Sequence, residues 1–134
     1  MSDPKLVFLK FDSAVCGPCI AMNKKGLLKE LARTHRNLTL VDLVILDEDG
    51  EAPTGTSFVD AWDLSDDFEV ESTPTVVVLT EAGVEVARRA GPLMRSTELT
   101  KLYDTAVKNA QRLALSSRNS QKVRAFVKAW GSAS

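Results

Sequence analysis

The chain has 134 residues, 44% hydrophobic and 26% charged, enough for one domain with a real core. No apolar run is long enough to cross a bilayer, and Met1-Ser2-Asp3-Pro4 does not read as a signal peptide; a cytoplasmic protein with no membrane partner is therefore expected. The formal net charge of −1 hides an asymmetry: thirteen acids and no lysine or arginine lie between Asn37 and Ala87, whereas six bases and no acid follow Asp104, so residues 1–104 carry −7 and the remainder +6.

Leu6 to Phe11 is an almost continuous apolar run, as expected of a strand buried on both faces, interrupted by Lys10. Pro18 to about His35 reads as a helix with Ile20, Leu27, Leu28, Leu31 and Ala32 spaced to cover one face. Gly26 is its weak point and the expected place for a kink. Leu38 to Leu46 is the next strand, and a helix joining two such runs predicts a parallel pair with a right-handed crossover. The polar stretch from Asp47 to Ser57 superficially suggests a calcium loop at Asp47, Asp49 and Gly50. Its first and twelfth ligand positions fall on Ile45 and Thr56, which rules that reading out.

A short helix is expected from Phe58 to Phe68. Thr75–Thr80 and Val84–Arg88 read as strands joined by a hairpin signal at Glu81-Ala82-Gly83. The last long helix should start near Ser96 or Thr97, with Glu98 in its first turn. Leu99, Leu102, Tyr103, Ala106, Val107, Ala110 and Leu113 form its apolar stripe. Ser116 to Ser120 reads as a break. Beyond it Val123, Phe126, Val127 and Trp130 fall at i, i+3, i+4 and i+7 of one more amphipathic segment. The expected order is β-α-β-α-β-β-α plus a tail, an α/β fold.

The only two cysteines stand in Cys16-Gly17-Pro18-Cys19, at the junction of the first strand and first helix. A helix N-terminus stabilises an anion through its unpartnered N–H groups and its dipole, and Cys-x-x-Cys spacing also lowers a thiol pKa. Pro18 suits a first helical turn, where its missing N–H is not needed, and Gly17 leaves the approach to Cys16 open. A zinc site needs four ligands, and there is no second cysteine pair and only one histidine, His35, at the far end of the helix. So short a loop gains little from a purely structural disulfide. Two inert core cysteines remain an alternative, weaker than dithiol redox chemistry.

Three segments in the same order resemble the thioredoxin family. They are Cys16-Gly17-Pro18-Cys19 after a hydrophobic strand, Phe68-Glu69-Val70-Glu71-Ser72-Thr73-Pro74-Thr75, and the strand Val84–Arg89 leading into Gly91. The resemblance spans about residues 6 to 107. It implies a three-layer α/β/α thioredoxin-like fold with a minimal four-stranded mixed sheet over residues 1–115, followed by a basic amphipathic extension at 116–134. The N-terminal strand and helix that precede the active-site strand in most thioredoxins are not expected here, and the tail is expected to dock in their place. The resemblance further implies that Cys16 attacks a target disulfide, that Cys19 resolves the mixed disulfide, and that Pro74 is cis. Val15, Gly17, Pro18, Thr73, Pro74 and Gly91 would then line the substrate groove. No cofactor is implied beyond the Cys16–Cys19 disulfide. The implied partners are disulfide-containing proteins and a thioredoxin-reductase-like electron donor, with the chain a monomer engaged in electron transport and redox homeostasis.

The departures from the family carry information. Val15 stands where thioredoxins usually have tryptophan, and Lys10 where they bury an aspartate beneath the cysteines. The lysine that pairs with that aspartate maps to Asp42, so a swapped Lys10–Asp42 pair is expected at the catalytic centre, with Asp12 a second candidate partner. The alternative is that Lys10 simply reaches solvent. The acidic stretch could steer basic partners toward the groove. Nucleic-acid binding by the tail is disfavoured by its apolar face. Two functions stay open: a reductase of protein disulfides, and a binding module whose dithiol is incidental. A disulfide-forming oxidase is the weakest alternative.

Overall fold

The computed structural model describes residues 4–13, 16–45 and 65–131. The expected helix from Phe58 and the polar stretch 47–57 fall almost wholly outside these, with only a last turn at Ser65–Asp67 described.

Four strands form one mixed sheet: β1 (Leu6–Ser13), β2 (Leu38–Ile45), β3 (Thr75–Thr80) and β4 (Glu85–Ala90). Their order is β2-β1-β3-β4. β1 runs parallel to β2 in the register Leu6↔Leu38 to Ser13↔Ile45, and antiparallel to β3 from Leu6↔Thr80 to Phe11↔Thr75. The parallel pair needs a helical crossover, and the chain between β1 and β2 supplies it.

That crossover is two helices, α1 (Gly17–Lys25) and α2 (Leu27–Thr34). Gly26 separates them with φ 65, the left-handed conformation that only glycine adopts without penalty. The break also accounts for Ile20. It belongs to the expected covered face, yet it is half exposed, because an apolar stripe cannot keep its phase across a reset helix. α1 buries Cys19 and Met22 instead.

The alternation of β1 divides its side chains between two apolar layers. Leu6 and Phe8 pack with Val76 and Val78 of β3, and with Met22, Leu28, Leu99, Leu102 and Ala106 from the helices. Leu9 and Phe11 pack on the opposite face with Leu43, Val77, Leu79, Phe68 and Val70. Lys10 and Asp12 continue the row of Leu6 and Phe8, which places two charged residues under α1.

The third helix, α3 (Ser96–Gly131), is 36 residues long and runs unbroken through Ser116–Ser120. The break expected there does not occur. Serine and asparagine are weaker helix formers than alanine by only a few tenths of a kcal/mol, well within ~0.7 kcal/mol per residue. α3 is fixed to the sheet by Asn109 Nδ2, which donates to the Val86 carbonyl at 2.7 Å, and by an Arg89–Glu98 ion pair. Tyr103 packs against the His35 ring, centroids 4.5 Å apart, and its hydroxyl donates to Asn37 Oδ1 at 3.2 Å. The apolar stripe is buried through Ala110, but Leu113 is exposed. Val123, Phe126 and Val127 are also exposed, and the Trp130 side chain, on which the expected docking of the tail turns, lies outside the described residues.

Space is open around Gly26, so a methyl group there meets nothing within 4 Å and only the backbone conformation is penalised. Gly26→Ala should lower unfolding free energy by about 1–2 kcal/mol, the left-handed penalty for an L-residue. Urea denaturation checks it, and an unchanged midpoint would mean that the α1–α2 junction tolerates another conformation.

Candidate active site

β1 delivers the chain to Cys16, which is the N-cap of α1, with extended backbone at φ −90 and ψ 111. The Cys19 backbone N–H donates to Cys16 Sγ at 3.1 Å, one of the free N–H groups that a helix start turns toward an anion. Cys16 and Cys19 form a disulfide, with Cα atoms 5.2 Å apart. The two sulfurs are unequal. Cys19 is 1% exposed and faces the core, whereas Cys16 is half-buried beside exposed Gly17 and Pro18.

The segment before β3 forms the facing wall. The Thr73–Pro74 peptide bond is cis, and the Thr73 carbonyl oxygen lies 3.5 Å from Cys16 Sγ. The Gly91 N–H donates to the Pro74 carbonyl at 2.9 Å, with Gly91 at φ 94. Gly17, Pro18, Thr73, Pro74 and Gly91 are thereby placed by three elements around one sulfur or its facing loop. Val15 lies outside the described residues.

Beneath the disulfide lies a charge cluster. Lys10 is 4% exposed, so it does not reach solvent. Its Nζ is 2.6 Å from Asp42 Oδ1, the residue opposite it in the parallel register, and 3.3 Å from Asp12 Oδ2. The Asp42 contact is a charge–charge approach rather than a directed hydrogen bond. Asn23 closes the cluster: its Oδ1 accepts from Lys10 Nζ at 2.5 Å and its Nδ2 donates to Asp12 Oδ2 at 3.2 Å. Burial raises the Asp12 carboxyl above its ordinary value of 3.8, against the opposing pull of Lys10 and of the Asn23 hydrogen bond. Its Oδ1 is buried with no hydrogen-bond partner among the described residues.

Asn23 was not singled out in the sequence. The available signal is its spacing, since position i+4 from Cys19 puts a polar residue one turn beyond the inner cysteine, where Asn23 is exposed yet reaches Lys10 and Asp12. Arg88 was missed too. Its guanidinium donates to the Phe68 and Glu69 carbonyls and pairs with Glu85, tying β4 to the turn that precedes the cis-proline loop. Nothing local in the sequence signals a bond across that separation. Among the described residues no cluster of histidine, cysteine and carboxylates could hold a metal ion.

The family model described as a thioredoxin-like domain matches residues 2–106. Among solved structures, the germline-specific thioredoxin Deadhead of Drosophila melanogaster is 28% identical over 76% of this chain and 81% of its own, with a TM-score of 0.53. A thioredoxin of Nicotiana alata is 26% identical, covering 73% of this chain and 70% of its own, with a TM-score of 0.52. An oxidoreductase named DsbH shares the fold with a TM-score of 0.59 at 20% identity, over 77% of this chain and 73% of its own. No curated protein matches the chain.

The raised Asp12 carboxyl has a definite linkage sign. Between 3.8 and its elevated native value the folded state binds more protons than the unfolded state, so this group's contribution to stability falls as pH rises through that window. Asp12→Asn should remove the fall. The wild-type stability relative to Asp12→Asn should decline with rising pH across the window, as read from urea unfolding at stepped pH. A constant difference would mean that Asp12 is not shifted upward.

Proposed function

The chain belongs to the thioredoxin-like family, and from that premise we propose that it is a thiol–disulfide oxidoreductase that reduces protein disulfides. The observation that carries the reading is the inequality of the two sulfurs. Cys16 is at the surface on a helix N-cap, against the Thr73 carbonyl, while Cys19 is buried behind it.

In the reduced protein the Cys16 thiolate, stabilised by the Cys19 N–H and the start of α1, attacks one sulfur of a target disulfide. A mixed disulfide forms and the first target thiolate leaves. Cys19 loses its proton and attacks Cys16 Sγ, which breaks the mixed disulfide, forms Cys16–Cys19 and releases the second target thiolate. The target gains two electrons and, with two protons, becomes a dithiol; the chain loses the same two electrons. A thioredoxin-reductase-like donor would restore the dithiol, and no cofactor beyond the cysteine pair enters.

The exposed groove supports a protein rather than a small-molecule substrate. Gly17, Pro18 and Ile20 are all exposed around the half-buried sulfur, and an extended target segment could lie along them and meet the Thr73 backbone. Gly-Pro between the cysteines supports the reducing direction by resemblance to the reducing thioredoxins. Lys10 supports a low thiol pKa, since a buried cation below the helix start favours an anion above it.

Two experiments test this reading. Catalysed reduction of a disulfide-linked test protein should fall to background in Cys16→Ser, while Cys19→Ser should accumulate a mixed disulfide seen by non-reducing electrophoresis. Turnover surviving in Cys16→Ser would refute the assignment of the nucleophile, and absence of turnover in the wild type would refute the reductase. Separately, Lys10→Ala should raise the pKa of Cys16 in the reduced protein, read by alkylation rate against pH. An unmoved titration would remove Lys10 from thiol tuning.

A further inference from the structure

The cysteine chemistry leaves the distal part of α3 without a role. Three sets of positions define it. Leu99, Leu102, Tyr103, Ala106 and Ala110 are buried and hold the helix on the sheet. Leu115, Val123, Phe126 and Val127 are between 58% and 62% exposed. Arg112, Arg118, Lys122, Arg124 and Lys128, with Lys108, are the only charges after Asp104.

At 3.6 residues per turn the exposed apolar set spans an arc of about 120°. Its centre is turned roughly 140° from that of the buried set, by the same geometry. The distal stripe is therefore not a frayed end of the core stripe; it looks the other way. Lys122 and Arg124 border this arc on its two sides, and Arg112, Ser116 and Asn119 fall within it. The sequence holds no aspartate or glutamate after Asp104.

The occupant of such a face must accept apolar side chains and carry negative charge on both flanks. A second copy docked helix to helix would set one basic face against another. Nucleic acid would engage the bases and leave the apolar arc in water. A planar anionic surface with an apolar interior meets both requirements at once, since the arc sinks among acyl chains while bases on either flank reach headgroups. We infer that the distal half of α3 is an interfacial helix that binds the surface of anionic lipid bilayers. This departs from the expectation that the chain has no membrane partner. No helix of the described residues is long and apolar enough to cross a membrane, and a helix lying on the surface needs no such run.

The test is co-sedimentation of the full chain with vesicles of phosphatidylcholine alone and of phosphatidylcholine with 30% phosphatidylglycerol. The wild type should sediment with the anionic vesicles and not with the neutral ones, and 1 M salt should weaken the binding. Lys122→Gln with Arg124→Gln should reduce partitioning about fivefold per base removed. Val123→Asp with Val127→Asp should abolish it, with the melting temperature of the domain unchanged because both sites are exposed.

Failure of the wild type to bind anionic vesicles overturns the inference. So does binding that ignores both double variants, or equal binding to polyglutamate that survives Val123→Asp with Val127→Asp. A dimer in sedimentation velocity that needs Val123 and Val127 would assign the face to a second copy and overturn it as well.

Discussion

A lysine ammonium buried under the active-site helix is the constraint on which the arrangement depends. Taking such a charge out of water unpaired costs several kcal/mol, a large share of the ~5–15 kcal/mol by which a domain is stable. Pairing is thus a condition of folding. The parallel register Lys10↔Asp42 provides one carboxylate, and the β1 alternation provides the other, Asp12, two residues along the same face. A one-residue slip of β1 would turn Lys10 into the opposite apolar layer of Leu9 and Phe11. The pair therefore specifies register as much as it stabilises.

The same cluster joins the sheet to the chemistry. Asn23 accepts from Lys10 and donates to Asp12, so the buried charge and α1 are one hydrogen-bonded unit. One cation facing two carboxylates is short of positive charge, and the burial of Asp12 favours its protonated form. With Asp12 protonated the cluster is neutral; with Asp12 ionised it is negative. The net charge of the cluster in this way varies with Asp12. Compared with the thioredoxin pattern of a buried aspartate on this strand and a lysine on the next, the signs of the two strands are exchanged while the pairing between strands is retained.

Features carried by short motifs were legible in the sequence. Cys16 at the start of α1 and the four strands follow from residue types and their spacing, whereas the cis bond before Pro74 and the turn into Gly91 were legible through the resemblance to thioredoxins. Lys10–Asp42 was legible through alignment of two departures, since neither residue is informative alone. Ile20 and the helix through Ser116–Ser120 were not. For Ile20 the reason is that one αL glycine resets the phase of every later position. For the serine stretch, weak local propensity is overridden by propagation, because extending an existing helix adds one hydrogen bond per residue fixed and needs no new nucleus. Arg88 was illegible because its acceptors are backbone carbonyls, which no sequence pattern marks.

That unbroken propagation has a mechanical consequence. The proximal turns of α3 are anchored to β4 through Asn109 and Arg89. β4 pairs with β3, and the residue that opens β3, Thr75, follows the cis-proline directly. A flexible linker at 116–120 would have let the distal segment take any orientation. A continuous helix instead fixes the direction of the exposed arc relative to the sheet, and so relative to the half-buried sulfur of Cys16. Any surface on which that arc lies consequently meets the oxidoreductase site in one orientation, set by the number of residues between Ala110, where burial ends, and Leu115, where the exposed arc begins. Insertion or deletion of a single residue there would rotate the arc by about 100° and leave the site untouched.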